Sequence, residues 1–441
     1  MSLGAILEPL VVVSLLAGGA LVNRNTSYNL ATGASPVWQQ TGRRSSSSRR
    51  RVDNPASPRD LETGKSPAEG DVLGLGAWTW SSNSSTSSLT DLTDDDQDPT
   101  TRLRTLRFFG WKRTVRTPNT EVFRDRLLSR VLRRFPFLVE TWYWALIYWV
   151  YQLGRAFTAL TLDDGTVDVA RKHALQVIHL EQRLHIFLEL PVQAWFLKHP
   201  FIMLWTNRIY SFIHIPGTIL FLIILFYLTT TRPTRKLQQA QSEGVSPTRW
   251  SAVLGRFGPH IYEKRRRTMA MCNLIAFIVF TFWPCMPPRL LSDPEYNGEH
   301  AEESKGYGFV DTVHGADGES SVWTSNRFCN QYAAMPSLHF GYSFLIGLTI
   351  ATAPVRGRMW KRLAIICTGM IYPAIILAAI VATANHFILD AVAGALVCVT
   401  AWYGNGFLLN LLPVEDYFLW VLRMHKPEKT SLDGKGPQLR I

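Results

Sequence analysis

The chain has 441 residues, of which 47% are hydrophobic and only 18% are charged, and its formal net charge is +12. Its polar and apolar residues are segregated into separate segments, which is typical of a membrane protein with soluble extensions. The Lys and Arg residues cluster beside apolar segments, so the positive charge does not indicate a nucleic-acid-binding protein. The five cysteines show no zinc-binding spacing.

The first 135 residues predict three segments that precede the membrane core. Residues 1–23 hold an apolar stretch long enough to cross a bilayer, interrupted by Glu8 and Pro9, and predict a transmembrane anchor. Residues 24–101 are rich in Ser and Thr and lack an apolar period, so we expect a disordered arm. Residues 102–135 are strongly basic and predict a cytosolic flank.

Residues 136–412 predict an all-α bundle of six core transmembrane helices. Each of its six apolar segments has about 20 residues, which matches the thickness of the hydrocarbon layer of a bilayer. The predicted spans are 138–161, 208–230, 268–286, 336–353, 362–383 and 387–412.

The charges of the connections predict how the bundle is oriented. Lys and Arg cluster before the first span, in the connections 231–267 and 354–362, and in the tail 413–441. The loop 288–335 instead carries clusters of Asp and Glu. Because cytosolic loops are enriched in Lys and Arg, both ends of the core are predicted to be cytosolic and the acidic loop to be luminal.

Ionisable residues at membrane depth are costly and therefore indicate function. Arg289 follows the third span, His339 opens the fourth, and His386 with Asp390 opens the sixth. The predicted topology places all four at the non-cytosolic end of the bundle. They are the candidate site residues.

His386 and Asp390 are four residues apart, which places them on one face of a helix. A carboxylate there can accept the Nδ1 proton and leave Nε2 free to act as a nucleophile. His339 can then protonate a leaving oxygen. The structural alternatives are a satisfied His–Asp pair and a histidine that caps an interfacial helix.

Phosphate binding is predicted for Arg289 and Ser337. Arg289 offers a planar fork that matches phosphate oxygens, although it could instead anchor the chain at the membrane surface. Ser337 lies at the predicted start of the fourth span, where free N–H groups favour an anion.

A polar edge runs along the second core span, at Asn207, Tyr210 and His214. Substrate contact and hydrogen bonding between helices explain this edge equally well.

The segments AAMPSLHFG (333–341) and ANHFILDAVAG (384–394), with PPR upstream (287–289), closely resemble the lipid-phosphatase/haloperoxidase superfamily, the type 2 phosphatidic acid phosphatases. Within it, N-x-Y-A-A-M-P-S-L-H (330–339) and H-x-x-x-D resemble the branch that contains fungal inositol phosphorylceramide synthase. The resemblance covers residues 136–412.

This resemblance implies a metal-independent transfer that needs no cofactor. His386 would attack phosphorus to form a phospho-histidine, Asp390 would orient it, and His339 would protonate the leaving group. Water or an alcohol would then take the phosphoryl group, so a lipid phosphate phosphatase and an inositolphosphotransferase-like enzyme are both open.

The chain also departs from the phosphatase pattern. Phe282 and Leu290 stand where that pattern has Lys and Pro, and Ile380 stands where the family has Arg. Two of the three usual phosphate clamps are therefore missing, which favours the synthase branch and leaves more of the phosphate charge to Arg289.

We therefore expect a multi-pass membrane enzyme of lipid metabolism that acts on a phospholipid or a phosphorylated lipid. Its predicted surroundings are the bilayer of the Golgi or another endomembrane, with a luminal site, no nucleic-acid partner and no assigned oligomeric state. A transporter and a catalytically silent scaffold with a Ser-rich recruiting arm are the alternatives. Cys285 and Cys329, near the non-cytosolic ends of adjacent spans, are predicted to form a disulfide.

Overall fold

A computed structural model describes residues 3–30, 100–108, 110–161, 165–243, 258–312, 331–353 and 359–427. The first helices in chain order are α1 (Leu3–Val22), α2 (Leu127–Arg134), α3 (Phe137–Thr161), α4 (Gly165–Arg183), α5 (Glu189–Leu197), α6 (Pro200–Arg208), α7 (His214–Phe226) and α8 (Arg232–Ser242). They are followed by α9 (Pro259–Phe282), α10 (Ala301–Gly306), α11 (Leu338–Ala351), α12 (Met359–Ala382), α13 (Ile388–Gly404) and α14 (Leu412–Val421). The predicted disordered arm, 24–101, lies almost entirely outside the described residues.

Within the described ranges, three helical stretches are long and apolar enough to cross a membrane: Pro200–Lys236, Met359–Ala382 and Ile388–Val421. Helices also cover the other predicted spans, but α11 has only 14 residues. At 1.5 Å per residue, such a helix is about 21 Å long and shorter than a hydrocarbon layer of about 30 Å. The membrane character is therefore confirmed, whereas the number of six spans is not.

The first of these stretches begins earlier than the predicted span at 208, because α6, α7 and α8 form one continuous helical run. Two π-helical turns, Ile209–Ile213 and Tyr227–Thr231, join its three parts. A π-helical turn rotates the side chains that follow it, and such turns are frequent at functional sites. The first of them carries Tyr210, so the predicted polar edge does not follow a regular α-helix.

The prediction of an all-α chain is wrong for the basic segment before the core. Strands β1 (Thr101–Phe108) and β2 (Trp111–Pro118) form an antiparallel hairpin. The side chains of β1 alternate between exposed and half-buried positions, which is the period of a strand. Its frequent arginines indicated a charged flank and obscured this period.

The hairpin packs against the C-terminal part of the core. Arg104 makes two hydrogen bonds to the Asp416 carboxylate, at 2.6 and 2.8 Å, and the Thr117 hydroxyl donates a third at 2.8 Å. The backbone of Arg107 exchanges two hydrogen bonds with the Asn410 side chain. The basic segment and the start of the tail therefore form one folded layer.

Helix α1 packs on the core beside α7. A Cβ on Gly19 would lie only 2.8 Å from the Phe137 ring and 2.9 Å from Ile223, so the absence of a side chain permits this close approach. At its end, Thr231 donates a hydrogen bond of 2.6 Å to the Asn23 side chain. Its apolar part, Pro9–Val22, is shorter than a full span, and membrane crossing by α1 stays a prediction.

Close contact between α11 and α13 brings the two histidine segments together. A Cβ on Gly394 would lie 2.3 Å from the Ser337 carbonyl oxygen, and one on Gly341 would lie 3.2 Å from the Gly394 oxygen. The Ser337 N–H donates to the Asp390 carbonyl at 3.0 Å. The two helices therefore begin side by side, at what we call the site end of the bundle, where α9 finishes.

Candidate active site

His386 lies on a tight turn between α12 and α13. The preceding Ala384 has a φ of +49°, a left-handed conformation that costs a residue with a Cβ about 1–2 kcal/mol. The Ala384 carbonyl accepts a hydrogen bond of 2.9 Å from the Arg289 N–H. This strained turn places His386 next to the segment that carries Arg289.

The prediction that His386 and Asp390 lie on one face of a helix is wrong. Helix α13 begins at Ile388, so His386 lies before it, and the Asp390 side chain caps the start by accepting the Phe387 N–H at 3.0 Å. His386 Nδ1 is 3.5 Å from Asp390 Oδ2 but only 2.8 Å from the Ala334 carbonyl oxygen. Because a carbonyl can only accept, Nδ1 carries the proton, and Nε2 of the neutral ring has the free lone pair.

His339 stands in a row of rings that leads to His386. Its ring centroid is 5.8 Å from that of His386, 4.6 Å from Tyr210 and 5.0 Å from His214. His214 Nδ1 is in turn 2.9 Å from the Tyr372 hydroxyl. The structure thus places two of the three polar-edge residues beside the predicted acid.

Arg289 is held by two side chains. Its Nε donates to Asn385 at 3.0 Å, and its Nη1 forms an ion pair of 2.7 Å with Asp311. Its side chain is 9% exposed and that of Asp311 is 22% exposed. The predicted phosphate-binding fork is therefore adjacent to His386 but already faces a carboxylate.

Asn207 lies apart from the histidine row. It exchanges hydrogen bonds with Thr312, at 3.1 and 3.2 Å. Gln193 binds the Val310 backbone in the same two-sided manner, at 2.8 and 3.2 Å. These contacts fix the segment that presents Asp311 to Arg289, so Asn207 supports the site from outside.

Ser337 is fully buried and is the N-cap of α11. Its hydroxyl oxygen accepts the Phe340 N–H at 3.4 Å. The hydroxyl is thus used within the protein, and a contact between Ser337 and phosphate stays a prediction.

Sequence reasoning missed two fully buried glutamates next to the site, Glu181 and Glu189. They lie in α4 and α5, between the first two predicted spans. Their Oε1 atoms accept the N–H groups of Leu389 and Ile388, at 2.7 and 2.8 Å. Asp311 and Tyr372 were also missed, because nothing local in the sequence connects them to the histidines. Asn385 was missed although it directly precedes His386.

Among the described residues, no three His, Cys, Asp or Glu side chains are arranged to bind a metal ion. Cys285 is a buried free thiol, and its predicted partner Cys329 lies outside the described residues.

The comparisons with known proteins agree with this geometry at the level of a superfamily. No curated protein and no solved structure matched the chain significantly. A family model described as the PAP2 superfamily matches residues 175–241 and 247–404, which include both histidine segments and together make up more than half of the chain. The chain therefore belongs to the PAP2 superfamily, and this membership indicates a phosphoester-related function of the lipid-phosphatase type.

Proposed function

We propose that the protein is an integral membrane enzyme that transfers or hydrolyses a phosphoester of a lipid through a phospho-histidine on His386. The observation that supports this most directly is the pairing of His386 with His339, at 5.8 Å between ring centroids, beside the Arg289 fork. A nucleophile, an acid and a phosphate-binding group are the parts that such a reaction needs.

In the first step, the Nε2 lone pair of His386 attacks phosphorus and forms a P–N bond. The bond from phosphorus to the leaving oxygen breaks, and His339 gives its proton to that oxygen. The Ala334 carbonyl accepts a hydrogen bond from the Nδ1–H group, and the Asp390 carboxylate at 3.5 Å stabilises the positive charge that develops on the ring.

In the second step, water or an alcohol attacks phosphorus and gives its proton to His339. The P–N bond breaks, and its electrons return to Nε2. No metal ion takes part in this scheme. Substrate phosphate must compete with the Asp311 carboxylate for Arg289 throughout.

We further propose that the acceptor is an alcohol, as in an inositolphosphotransferase of sphingolipid metabolism, and that the site faces the lumen of the Golgi or another endomembrane. Two departures from the phosphatase pattern support transfer. Ile380 replaces an arginine and is fully buried, and Phe282 replaces a lysine and is 83% exposed. With fewer fixed cations, the site is less suited to a doubly charged phosphate monoester.

Trapping of the phospho-enzyme tests the proposal. Membranes with wild-type protein, His386→Ala or His260→Ala would receive ³²P-labelled phosphatidate, sphingoid-base phosphate and phosphatidylinositol in turn. His260 is the matched control because it is an exposed histidine at the opposite end of α9.

We expect a base-stable, acid-labile label on the His386 peptide of the wild type and of His260→Ala. His386→Ala should carry no label and lose activity by at least about 10³-fold, as expected when a nucleophile is removed. A His386→Ala protein that turns over any of these lipids at the wild-type rate would refute the mechanism. Neither a transporter nor a silent scaffold would give label or product.

A further inference from the structure

Three successive N–H groups at the start of α13 each donate to a different buried carboxylate. The Phe387 N–H donates to Asp390 itself, at 3.0 Å. The next two donate across the bundle, to Glu189 of α5 at 2.8 Å and to Glu181 of α4 at 2.7 Å. The first turn of α13, directly after His386, is therefore held by three acidic side chains, each 0% exposed.

The second oxygen of each carboxylate is buried as well. Glu181 Oε2 and Glu189 Oε2 have no hydrogen-bond partner outside the pair among the described residues, and Asp390 Oδ1 has none there either. A helix N-terminus supplies only about half a positive charge. Three buried negative charges at one helix end would therefore be strongly destabilised, and a proton relieves this.

Glu181 is the residue that holds such a proton. Burial, and then the neighbouring Glu189 carboxylate, raise the pKa of Glu181 to about 9. Burial also raises the pKa of Glu189. A protonated Glu181 can donate to Glu189 while its other oxygen still accepts the Leu389 N–H.

We propose that Glu181 and Glu189 are positioning residues for His386, acting as a carboxyl pair that shares one proton and fixes the first turn of α13. The pair does not touch the reacting atoms. It holds the first turn of α13, which directly follows the turn with His386, and so maintains the spacing between His386 and His339. The part of this inference that concerns catalysis rests on the proposed function.

Loss of the shared proton would place a second charge on the pair. The titratable groups that face it are Asp390 of α13 and Cys285 after α9, and His386 in turn contacts Asp390. Asp390 repels the second charge, and none of the three supplies a fixed positive charge. Activity should therefore fall as the pH rises through about 9.

The sign of the stability effect follows from the direction of the pKa shift. The folded protein keeps a proton on Glu181 that the unfolded chain releases near the ordinary pKa of 4.5. Stability is therefore highest below that value and decreases as the pH rises toward about 9.

The experiment compares wild type, Glu181→Gln, Glu181→Ala and Glu189→Gln, with Glu303→Gln as the control. Glu303 is an exposed glutamate that pairs with His179 away from the α13 start. For each detergent-purified protein, kcat and KM for lipid turnover and the temperature of unfolding are measured from pH 6 to pH 10.

A glutamine reproduces the protonated acid, because its oxygen accepts the Leu389 N–H and its amide donates to Glu189. Glu181→Gln should keep kcat within about threefold at pH 7, shift the alkaline midpoint upward by at least one pH unit and flatten the decline in unfolding temperature. Glu181→Ala should lose at least about tenfold in kcat with little change in KM, because orientation and not substrate binding is impaired. Glu303→Gln should match the wild type.

Two results would overturn the proposal: an unchanged alkaline midpoint and unfolding slope in Glu181→Gln, or a folded Glu181→Gln that is as inactive as Glu181→Ala. Should Glu181→Gln not fold, Glu189→Gln applies the same criteria, because either substitution leaves the pair with one ionisable group. The unfolding measurement needs no substrate. Suppose that the wild type turns over no lipid phosphoester, but that Glu181→Gln removes the pH dependence of the unfolding temperature. This result would refute the proposed function and still support the shared proton.

Discussion

Buried carboxylates at the two ends of the bundle have different hydrogen-bonding partners. At the hairpin end, Glu140 pairs with Arg266 at 2.9 Å and Asp416 pairs with Arg104 at 2.6 Å. At the site end, Asp390 and the two glutamates are held by backbone N–H groups. A guanidinium carries a full positive charge that fixes a carboxylate as an anion, whereas a backbone N–H favours the anion less strongly, so that burial can still raise the pKa of Glu181. The first arrangement suits a structural ion pair, and the second suits a site whose groups exchange protons.

Replacing Glu140 by Gln should give the largest effect, because the buried Arg266 loses the carboxylate that pairs with it at 2.9 Å. Breaking one partner of a buried ion pair costs about 3–5 kcal/mol in the free energy of unfolding. The guanidinium stays charged at all accessible pH values, so the loss should be the same from pH 6 to pH 10. Chemical or thermal unfolding in detergent measures it.

The control for this variant is Glu121→Gln, because Glu121 forms an exposed pair with Arg124 at 3.6 Å. Its effect on unfolding should be within about 0.5 kcal/mol. If Glu140→Gln changed the free energy of unfolding equally little, the buried ion pair at the hairpin end would not stabilise the fold.

The same change of acid to amide at the site end, Asp390→Asn, should lower activity and not stability. The amide oxygen can still accept the Phe387 N–H, and the Ala334 carbonyl still fixes the His386 tautomer. Only the charge that stabilises the imidazolium is lost, so we expect kcat to fall about 10²-fold, at the lower end of acid–base effects. Stability measured alongside should change by less than about 1 kcal/mol. A stability loss as large as that of Glu140→Gln, with kcat intact, would contradict this assignment.

The smallest effect is expected for Asp311→Asn. Asp311 is the one site carboxylate described here that does pair with an arginine, and that arginine is the predicted phosphate-binding residue. Removing its charge should let inorganic phosphate inhibit the enzyme at concentrations about 3–10-fold lower, equivalent to about 1 kcal/mol for a partly exposed pair. Competitive inhibition of lipid turnover by phosphate measures this.

Asp293→Asn, which alters an exposed aspartate, should leave phosphate inhibition unchanged. Weaker phosphate inhibition in Asp311→Asn would show that the carboxylate holds Arg289 in place instead of competing with the substrate.

The sequence was sufficient for features that depend on local pattern. Apolar runs predicted the membrane helices, because each must satisfy its backbone hydrogen bonds internally. The segments around His339 and His386, with PPR upstream, identified the superfamily. The hairpin was missed, because its alternation is weak beside its many arginines. The predicted number of six spans is also not confirmed, because α11 has only 14 residues.

What the sequence alone determined is therefore the membrane character, the superfamily and the candidate site residues. Tertiary structure alone decided which groups hold those residues: Ala334 for His386, Asp311 for Arg289, and the glutamates of α4 and α5 for the start of α13. Each of these contacts joins segments that are distant in sequence, and the Ala334 contact uses a backbone carbonyl, which every residue has. Backbone partners and long-range charge pairs leave no local periodicity, so only the packed fold reveals them.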